Sequence, residues 1–176
     1  MIRYGAMLAL IGLLLSGGAP APASAQNPSK QEIICKLNPG ACGAKTRSLR
    51  GITMEQPNDG RPPAIDLYVN FEYNSAELKP EALVALRALG EALNSPALAE
   101  AKVAIVGHTD AKGGAEYNQT LSEKRASAVR SVLIGSHGVD PARLHAEGHG
   151  FTELKDPAQP EAGINRRVEI KNLGVQ

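Results

Sequence analysis

The sequence predicts an α/β fold, an α+β two-layer sandwich with its helices packed on one mixed sheet. Strand-like and helix-like segments follow each other from residue 65 onward in the order β-α-β-α-β-β. One of the strand-like segments is apolar throughout, as in a strand covered on both faces. The chain has 176 residues, which suits one domain of ordinary size, here residues 65–176, with additional segments. Helices packed on a single sheet would bury these faces together.

The first strand is predicted from apolar positions that repeat every two residues, and the first helix from apolar positions at helical spacing. Apolar or aromatic side chains stand at every second position of residues 65–73, which predicts a half-buried strand. A turn over residues 74–78 follows, and Pro80 suits the first position of a helix. The helix is expected to end near residues 94–96. Its apolar stripe comprises Ala82, Leu83, Leu86, Leu89 and Leu93.

The central strand is predicted for residues 102–108, which are apolar without alternation. After a loop over residues 109–114, a second helix is expected to reach about Ser136, with Gly138 as its carboxyl-terminal stop. Its predicted buried stripe comprises Leu121, Ala128, Val129, Val132 and Leu133. Alternation over residues 144–149 predicts a short third strand, and the last strand covers residues 165–170.

Residues 1–25 have the pattern of a secretory signal peptide, with a cut after Ala25. Their apolar run has about half of the ~20 residues that a spanning helix needs, so no transmembrane segment is expected after cleavage. No cysteine stands near the cut to carry a lipid. The chain has 19 basic and 18 acidic residues, and removal of Arg3 makes the two numbers equal. A neutral chain lacks the basic stripe typical of nucleic-acid binding, and the signal peptide predicts that the protein is exported.

Residues 26–64 are interpreted as a linker, because prolines punctuate them and no apolar period lasts. They contain both cysteines, Cys35 and Cys42. In an exported chain such a local pair favours a disulfide, whose short loop is worth about 2–3 kcal/mol at most. A zinc site is the alternative, but it needs further ligands and none stands nearby in the sequence.

A candidate binding site lies after the central strand, because ligands of open α/β sheets tend to bind beyond the carboxyl ends of strands. Asp110 follows that strand, and Arg125 is on the next helix. Helical side chains lean toward the amino end, so Arg125 should reach back toward the loop of Asp110. The helix start adds backbone N–H groups that suit an anion. One carboxylate, one guanidinium and these amides form a receptor for a zwitterion.

Four motifs occur in order along the chain. They are Val-Asn-Phe-Glu-Tyr-Asn-Ser-Ala-Glu-Leu at 69–78, Gly-His-Thr-Asp at 107–110, Asn-Gln-Thr-Leu-Ser-Glu-Lys-Arg-Ala at 118–126 and Asn-Arg-Arg-Val-Glu-Ile at 165–170. Together they resemble the OmpA-like peptidoglycan-binding domain, the family of the OmpA carboxyl-terminal, Pal and MotB type. The resemblance covers about residues 65–172.

The resemblance implies non-covalent binding of the diaminopimelate residue of the peptidoglycan stem peptide, without cofactor or catalysis. By matching motifs, Asp110 and Arg125 correspond to the family's ligand-binding aspartate and arginine. The further lining residues would be Phe71, Thr109, Asn118 and Leu121. The implied partner is peptidoglycan, with an outer-membrane or other envelope protein as an open second partner. The implied location is the periplasm, at the wall, with association with the outer membrane left open.

Simpler interpretations of the charged residues remain open. Asp110 and Arg125 could form a surface ion pair worth about 0–1 kcal/mol. Arg166 shares strand parity with Val168 and Ile170, so it should need a partner on that apolar face. We expect an ion pair behind the site for Arg166 rather than direct ligand contact.

Two other functional classes are open alternatives. A cell-wall hydrolase or metalloenzyme would use His108, Asp110 and Glu147, although no serine or cysteine nucleophile motif is present. A protein-interaction module would dock a partner through the linker. No metal site is expected from His145 and His149, because four residues of a strand span ~13 Å.

Overall fold

A four-stranded mixed sheet and three α-helices form the part of the chain that the computed structural model describes, residues 27–42, 60–72 and 74–175. The elements are α1 (Lys30–Leu37), β1 (Ala64–Leu67), α2 (Ala82–Leu93), β2 (Lys102–Gly107), α3 (Ala115–His137), β3 (Leu144–Gly148) and β4 (Val168–Gly174), with 3₁₀ turns at Pro39–Cys42, Pro141–Arg143 and Gly163–Asn165. From β1 onward the predicted order and the α/β class are confirmed. The predicted signal peptide lies outside the described residues.

The strands lie side by side in the order β1-β4-β2-β3. Strand β4 is antiparallel to both β1 and β2, whereas β2 and β3 are parallel. The prediction that β2 is central is therefore confirmed. Its side chains Val103 and Ile105 belong to the core, and Ala104 and Val106, which point to the other face, are buried as well. Both faces of β2 are covered, which explains the uninterrupted apolar run.

The helices cover one face of the sheet. Helix α3 lies on β2 and β3, and α2 lies between α1 and α3. Helix α3 ends at Gly138, whose φ of 65° suits glycine, as predicted. Its buried residues are Asn118, Ser122, Ala126, Val129 and Leu133. The predicted stripe is therefore right only toward the carboxyl end, because the first half of the helix buries polar side chains that bond to loops. None of the helices in the described part of the chain is both long and apolar enough to cross a membrane.

Helix α2 begins later than predicted. Pro80 and Glu81 form a turn ahead of the helix, so Pro80 is not its first residue. Leu83 was expected in the apolar stripe but is 49% exposed, because the buried row runs through Ala82, Leu86 and their neighbours.

The first strand is shorter than the predicted residues 65–73. Strand β1 ends at Leu67, which pairs with Val168 at the start of β4, so within the described residues no strand pairs with the chain just beyond β1. Phe71 instead forms an isolated bridge with Leu78, and the N–H of Lys79 donates to the carbonyl of Asn70 (3.0 Å). The chain therefore turns back in a short hairpin over residues 70–79; Tyr73 within it lies outside the described residues.

Residues 30–42 of the predicted linker form a helix and a 3₁₀ turn, and its residues 43–59 lie outside the described residues. Helix α1 begins with a capping box, in which Ser29 and Glu32 exchange hydrogen bonds. Its buried side chains are Ile33, Ile34 and Leu37, which pack against α2 and β1. A disulfide joins Cys35, within this helix, to Cys42 at the end of the following 3₁₀ turn.

Two hydrogen bonds at the carboxyl end of α1 fix the helix to the domain. Asn38 Nδ2 donates to the carbonyl of Ala97 (2.8 Å), and Asn172 Nδ2 donates to the carbonyl of Leu37 (2.8 Å). The sequence signals were Ser-x-x-Glu ahead of apolar residues at i, i+1 and i+4. Eight residues are too few to show a repeated helical pattern of apolar positions. A helix of this length is not stable alone and depends on tertiary packing.

Replacement of Leu37 by alanine tests whether α1 is part of the domain. Leu37→Ala should lower the free energy of unfolding by about 2–5 kcal/mol, because it leaves a cavity in the core. Lys36→Ala, at an exposed position of the same helix, should change it by less than about 0.5 kcal/mol. Urea denaturation measures both. Equal small effects would show that α1 does not pack on the domain in solution.

Candidate functional site

The loop after β2 is fixed on the protein by its own backbone. Its N–H groups donate to carbonyls of three other segments, so the loop has one defined position. The bonds run from His108 to Arg167 (2.9 Å), from Thr109 to Gly150 (2.7 Å) and from Ala111 to Pro160 (3.0 Å).

Asp110 is a buried carboxylate with two fixed partners. Its Oδ2 accepts from Arg166 Nη1 at 2.7 Å, and its Oδ1 accepts from the backbone N–H of Lys112 at 3.2 Å. The Asp110 side chain is only 11% exposed. An arginine and a backbone amide thus orient both oxygens of the carboxylate.

Helix α3 sits directly on the strand ends from which this loop departs. A Cβ added to Gly107 would collide with the carbonyl oxygen of Ser122, and one added to Gly148 would collide with Ser122 Oγ and the N–H of Glu123. Ser122 is fully buried, and its Oγ accepts from the N–H of Gly150 (2.9 Å). Glycines at the ends of β2 and β3 thus allow a helix-to-strand approach that positions the amino-terminal half of α3.

Arg125 lies one turn further along α3 and is held by the hairpin over residues 70–79. Its Nε donates to the carbonyl of Ser75 (3.1 Å), and its guanidinium carbon lies 4.9 Å from the centre of the Phe71 ring. Burial lowers the pKa of Arg125 below its ordinary value, yet an arginine stays charged at neutral pH. The side chain is therefore a desolvated cation in a fixed orientation.

The sequence-predicted site residues line one groove of about 620 Å³. They are Phe71, Thr109, Asp110, Asn118, Leu121 and Arg125, together with Arg166. Asn118 is buried, and its Nδ2 donates to the carbonyl of Lys112 (2.7 Å), which ties the helix to the loop. Asp110 and Arg125 thus face the same groove but do not bond to each other: Asp110 pairs with Arg166 and Arg125 bonds to Ser75.

Sequence reasoning missed other polar residues of the groove. Lys79, Glu72 and Asn74 come from the hairpin, and Lys79 and Glu72 approach each other to 3.8 Å. Lys112 lines the opposite side. Charged residues of a turn look like an ordinary solvated surface in the sequence, and only the return of the hairpin over the helix brings them to the site.

Arg166 does not lie on the apolar face of the last strand, where strand parity predicts it. Strand β4 begins at Val168, so Arg166 lies in the turn before it and does not share the apolar face. Arg166 is exposed and extends to Asp110, whereas its neighbour Arg167 is buried and donates from Nε to Asp66 Oδ1 (3.0 Å). The ion pair expected of Arg166 is present, but on the groove side of the turn.

The residues of the enzymatic alternative have separate partners. His108 Nε2 lies 3.3 Å from Glu169 Oε2, and this hydrogen bond, with the charge of Lys171, lowers the pKa of Glu169 to about 2. Asp110 pairs with Arg166, and Glu147 lies 3.6 Å from His149 Nε2. The structure thus shows no contact that joins His108, Asp110 and Glu147 among the described residues.

Comparison with known proteins gives a consistent group of relatives. The OmpA family model matches residues 70–168. The chain is 40% identical over 103 residues to the peptidoglycan-associated lipoprotein of Pseudomonas aeruginosa, covering 57% of this chain and 59% of that protein. It is 29% identical over 177 residues to outer membrane porin F of the same organism, covering 96% of this chain and 50% of the porin. The chain thus spans between half and three-fifths of these relatives' length.

Solved structures show the same fold. The peptidoglycan-associated lipoprotein of Burkholderia pseudomallei has a TM-score of 0.50 at 28% identity, covering 61% of this chain and 88% of that one. The cell wall anchor of the T6SS from Pseudomonas aeruginosa has a TM-score of 0.51 at 27% identity, covering 63% and 80%.

The approach of α3 to β2 is tested by two glycine replacements. Gly107→Ala should lower the free energy of unfolding by about 3 kcal/mol, because backbone must move to admit the methyl group. Gly135→Ala, within α3 where an added Cβ meets nothing within 4 Å, should raise it by about 0.5–1 kcal/mol through helix propensity. Thermal or urea unfolding compares the two. A neutral Gly107→Ala would contradict the packing described.

Proposed function

The chain belongs to the OmpA family, and from this premise we propose that it binds peptidoglycan non-covalently and so anchors a periplasmic protein to the cell wall. The proposed ligand is the diaminopimelate residue of the stem peptide. Relatives named as a peptidoglycan-associated lipoprotein and a cell wall anchor support the proposal of peptidoglycan binding. The observation that supports diaminopimelate as the ligand is that Asp110 and Arg125 face one groove while each is held by other partners.

Asp110 is suited to the ammonium of the ligand. Each carboxylate oxygen has two lone pairs, and each uses one described bond, to Arg166 or to the N–H of Lys112. Hydrogen-bonding capacity therefore remains for an ammonium, and the carboxylate is already oriented before the ligand arrives. A charge-assisted bond of this kind is about twice as strong as a neutral one.

Arg125 is suited to the carboxylate at the same end of the ligand. Its Nε is used on Ser75, so we assign its two terminal Nη groups to a bidentate contact. Among the described residues no side chain caps the amino end of α3 at Gly114, and we propose that the Tyr117 amide of its first turn adds to the same anion. The Phe71 ring holds the guanidinium in place, so little rotamer entropy is lost on binding.

No covalent step belongs to this proposal. The groove presents the carboxylates of Asp110 and Glu72 beside several cations, and this arrangement recognises a zwitterion without activating a nucleophile. We propose a binding module rather than an enzyme, exported by a signal peptide cut after Ala25.

Co-sedimentation with purified diaminopimelate-containing sacculi tests the site. Asp110→Asn and Arg125→Ala should each weaken binding by about 10-fold or more, because each removes a charge-assisted contact worth about 1.5–3 kcal/mol. Arg87→Ala and Glu91→Gln make matched charge changes at exposed positions of α2 outside the groove and should bind as the unmodified protein does.

Circular dichroism of each variant separates loss of binding from loss of folding. Folded Asp110→Asn and Arg125→Ala proteins that still bind normally would refute the assigned site. Failure of the unmodified protein to bind sacculi at all would refute the function.

A further inference from the structure

A second cluster of ionisable side chains lies on the face of the sheet that the helices do not cover. Side chains alternate along each strand, so Glu169 points away from the core residue Ile170. His108, at the end of β2, points to the same face. His149 and Glu153, from the segment after β3, complete the cluster.

The distances within this cluster are those of a cation site. One ring nitrogen of His108 and one carboxylate oxygen each of Glu153 and Glu169 lie within 4.8 Å of one another. His108 Nε2 is 3.3 Å from Glu169 Oε2, and His149 Nδ1 is 3.2 Å from Glu153 Oε1. Two ligands bonded at about 2.0–2.1 Å to one tetrahedral ion stand about 3.3 Å apart.

Burial and charge also suit a cation. The His108 side chain is fully buried, whereas that of Glu153 is 54% exposed, so the cluster is closed on the protein side and open to solvent on the other. Two carboxylates meet there, and Lys171, at 3.4 Å from Glu169, balances only one. Nδ1 of His108 has no hydrogen-bond partner among the described residues, so this nitrogen is free to carry the ring proton when Nε2 binds a cation in place of donating to Glu169.

We propose that His108, Glu153 and Glu169 bind a divalent transition-metal cation, for which Zn²⁺ is the probe, with the remaining coordination position open to solvent. Imidazole nitrogen with carboxylate oxygen is a donor set for zinc rather than for Mg²⁺ or Ca²⁺, which prefer oxygen alone. Glu153 is the most exposed of the ligands and turns toward the cation. The site is independent of the proposed peptidoglycan binding.

The sequence does not predict this site, because its ligands come from three separate segments of the chain. His145 and His149 are the pair that their spacing suggests, and His145 is not part of the cluster: its side chain is 70% exposed and contacts only Glu147 among the described residues, at 3.8 Å.

Isothermal titration of the chelator-treated protein with ZnSO₄, followed by metal analysis after gel filtration, tests the proposal. We expect saturable binding of about one Zn²⁺ per chain, and a loss of about 10-fold or more in affinity in both Glu153→Gln and Glu169→Gln, since each replaces a charged ligand. His145→Ala removes an exposed imidazole on the same face and should bind zinc as the unmodified protein does.

Thermal melting without metal checks that the variants fold, and Glu153→Gln, at an exposed position, should melt as the unmodified protein does. Absence of stoichiometric zinc would overturn the proposal. So would zinc binding that survives both glutamate replacements, zinc binding that His145→Ala abolishes, or equally tight binding of Ca²⁺.

Discussion

The close approach of α3 to the carboxyl ends of β2 and β3 is the constraint on which the rest of the structure depends. It is possible because Gly107 and Gly148 leave room for the backbone of α3 at Ser122. With the helix at this depth, Asn118 reaches the loop of Asp110 and Arg125 reaches the hairpin over residues 70–79. A bulkier residue at either strand end would lift the helix and separate the two halves of the groove.

A second consequence is that the charges of the groove are kept apart. Asp110 is neutralised by Arg166 from the turn before β4, and Arg125 is held by a carbonyl and an aromatic ring. A direct pair between Asp110 and Arg125 would satisfy both groups and leave little for a ligand. Each group instead keeps unused hydrogen-bonding capacity, at little further cost in desolvation because both are already partly buried.

The sequence predicts those features that follow from local period or from strand ends. The central strand, the glycine stop of α3 and the groove residues around Asp110 are of this kind. The length of β1 cannot be predicted in this way, because it is set by where β4 begins. The partner of Asp110 cannot be predicted either, because Arg166 lies 56 residues away along the chain. Helix α1 was missed for a similar reason: three apolar residues make a helix only against a surface that another part of the chain provides.

The central claim is that Asp110 and Arg125 receive the two charges of one zwitterion. The most direct measurement is the affinity, by isothermal titration, for a soluble muropeptide with its diaminopimelate carboxylate free or amidated, in the unmodified protein and in Arg125→Ala. Amidation should weaken binding to the unmodified protein by about 10-fold and should have little further effect in Arg125→Ala, because the contact is already absent. An equal loss in both proteins would contradict the claim, since the carboxylate would then be bound elsewhere.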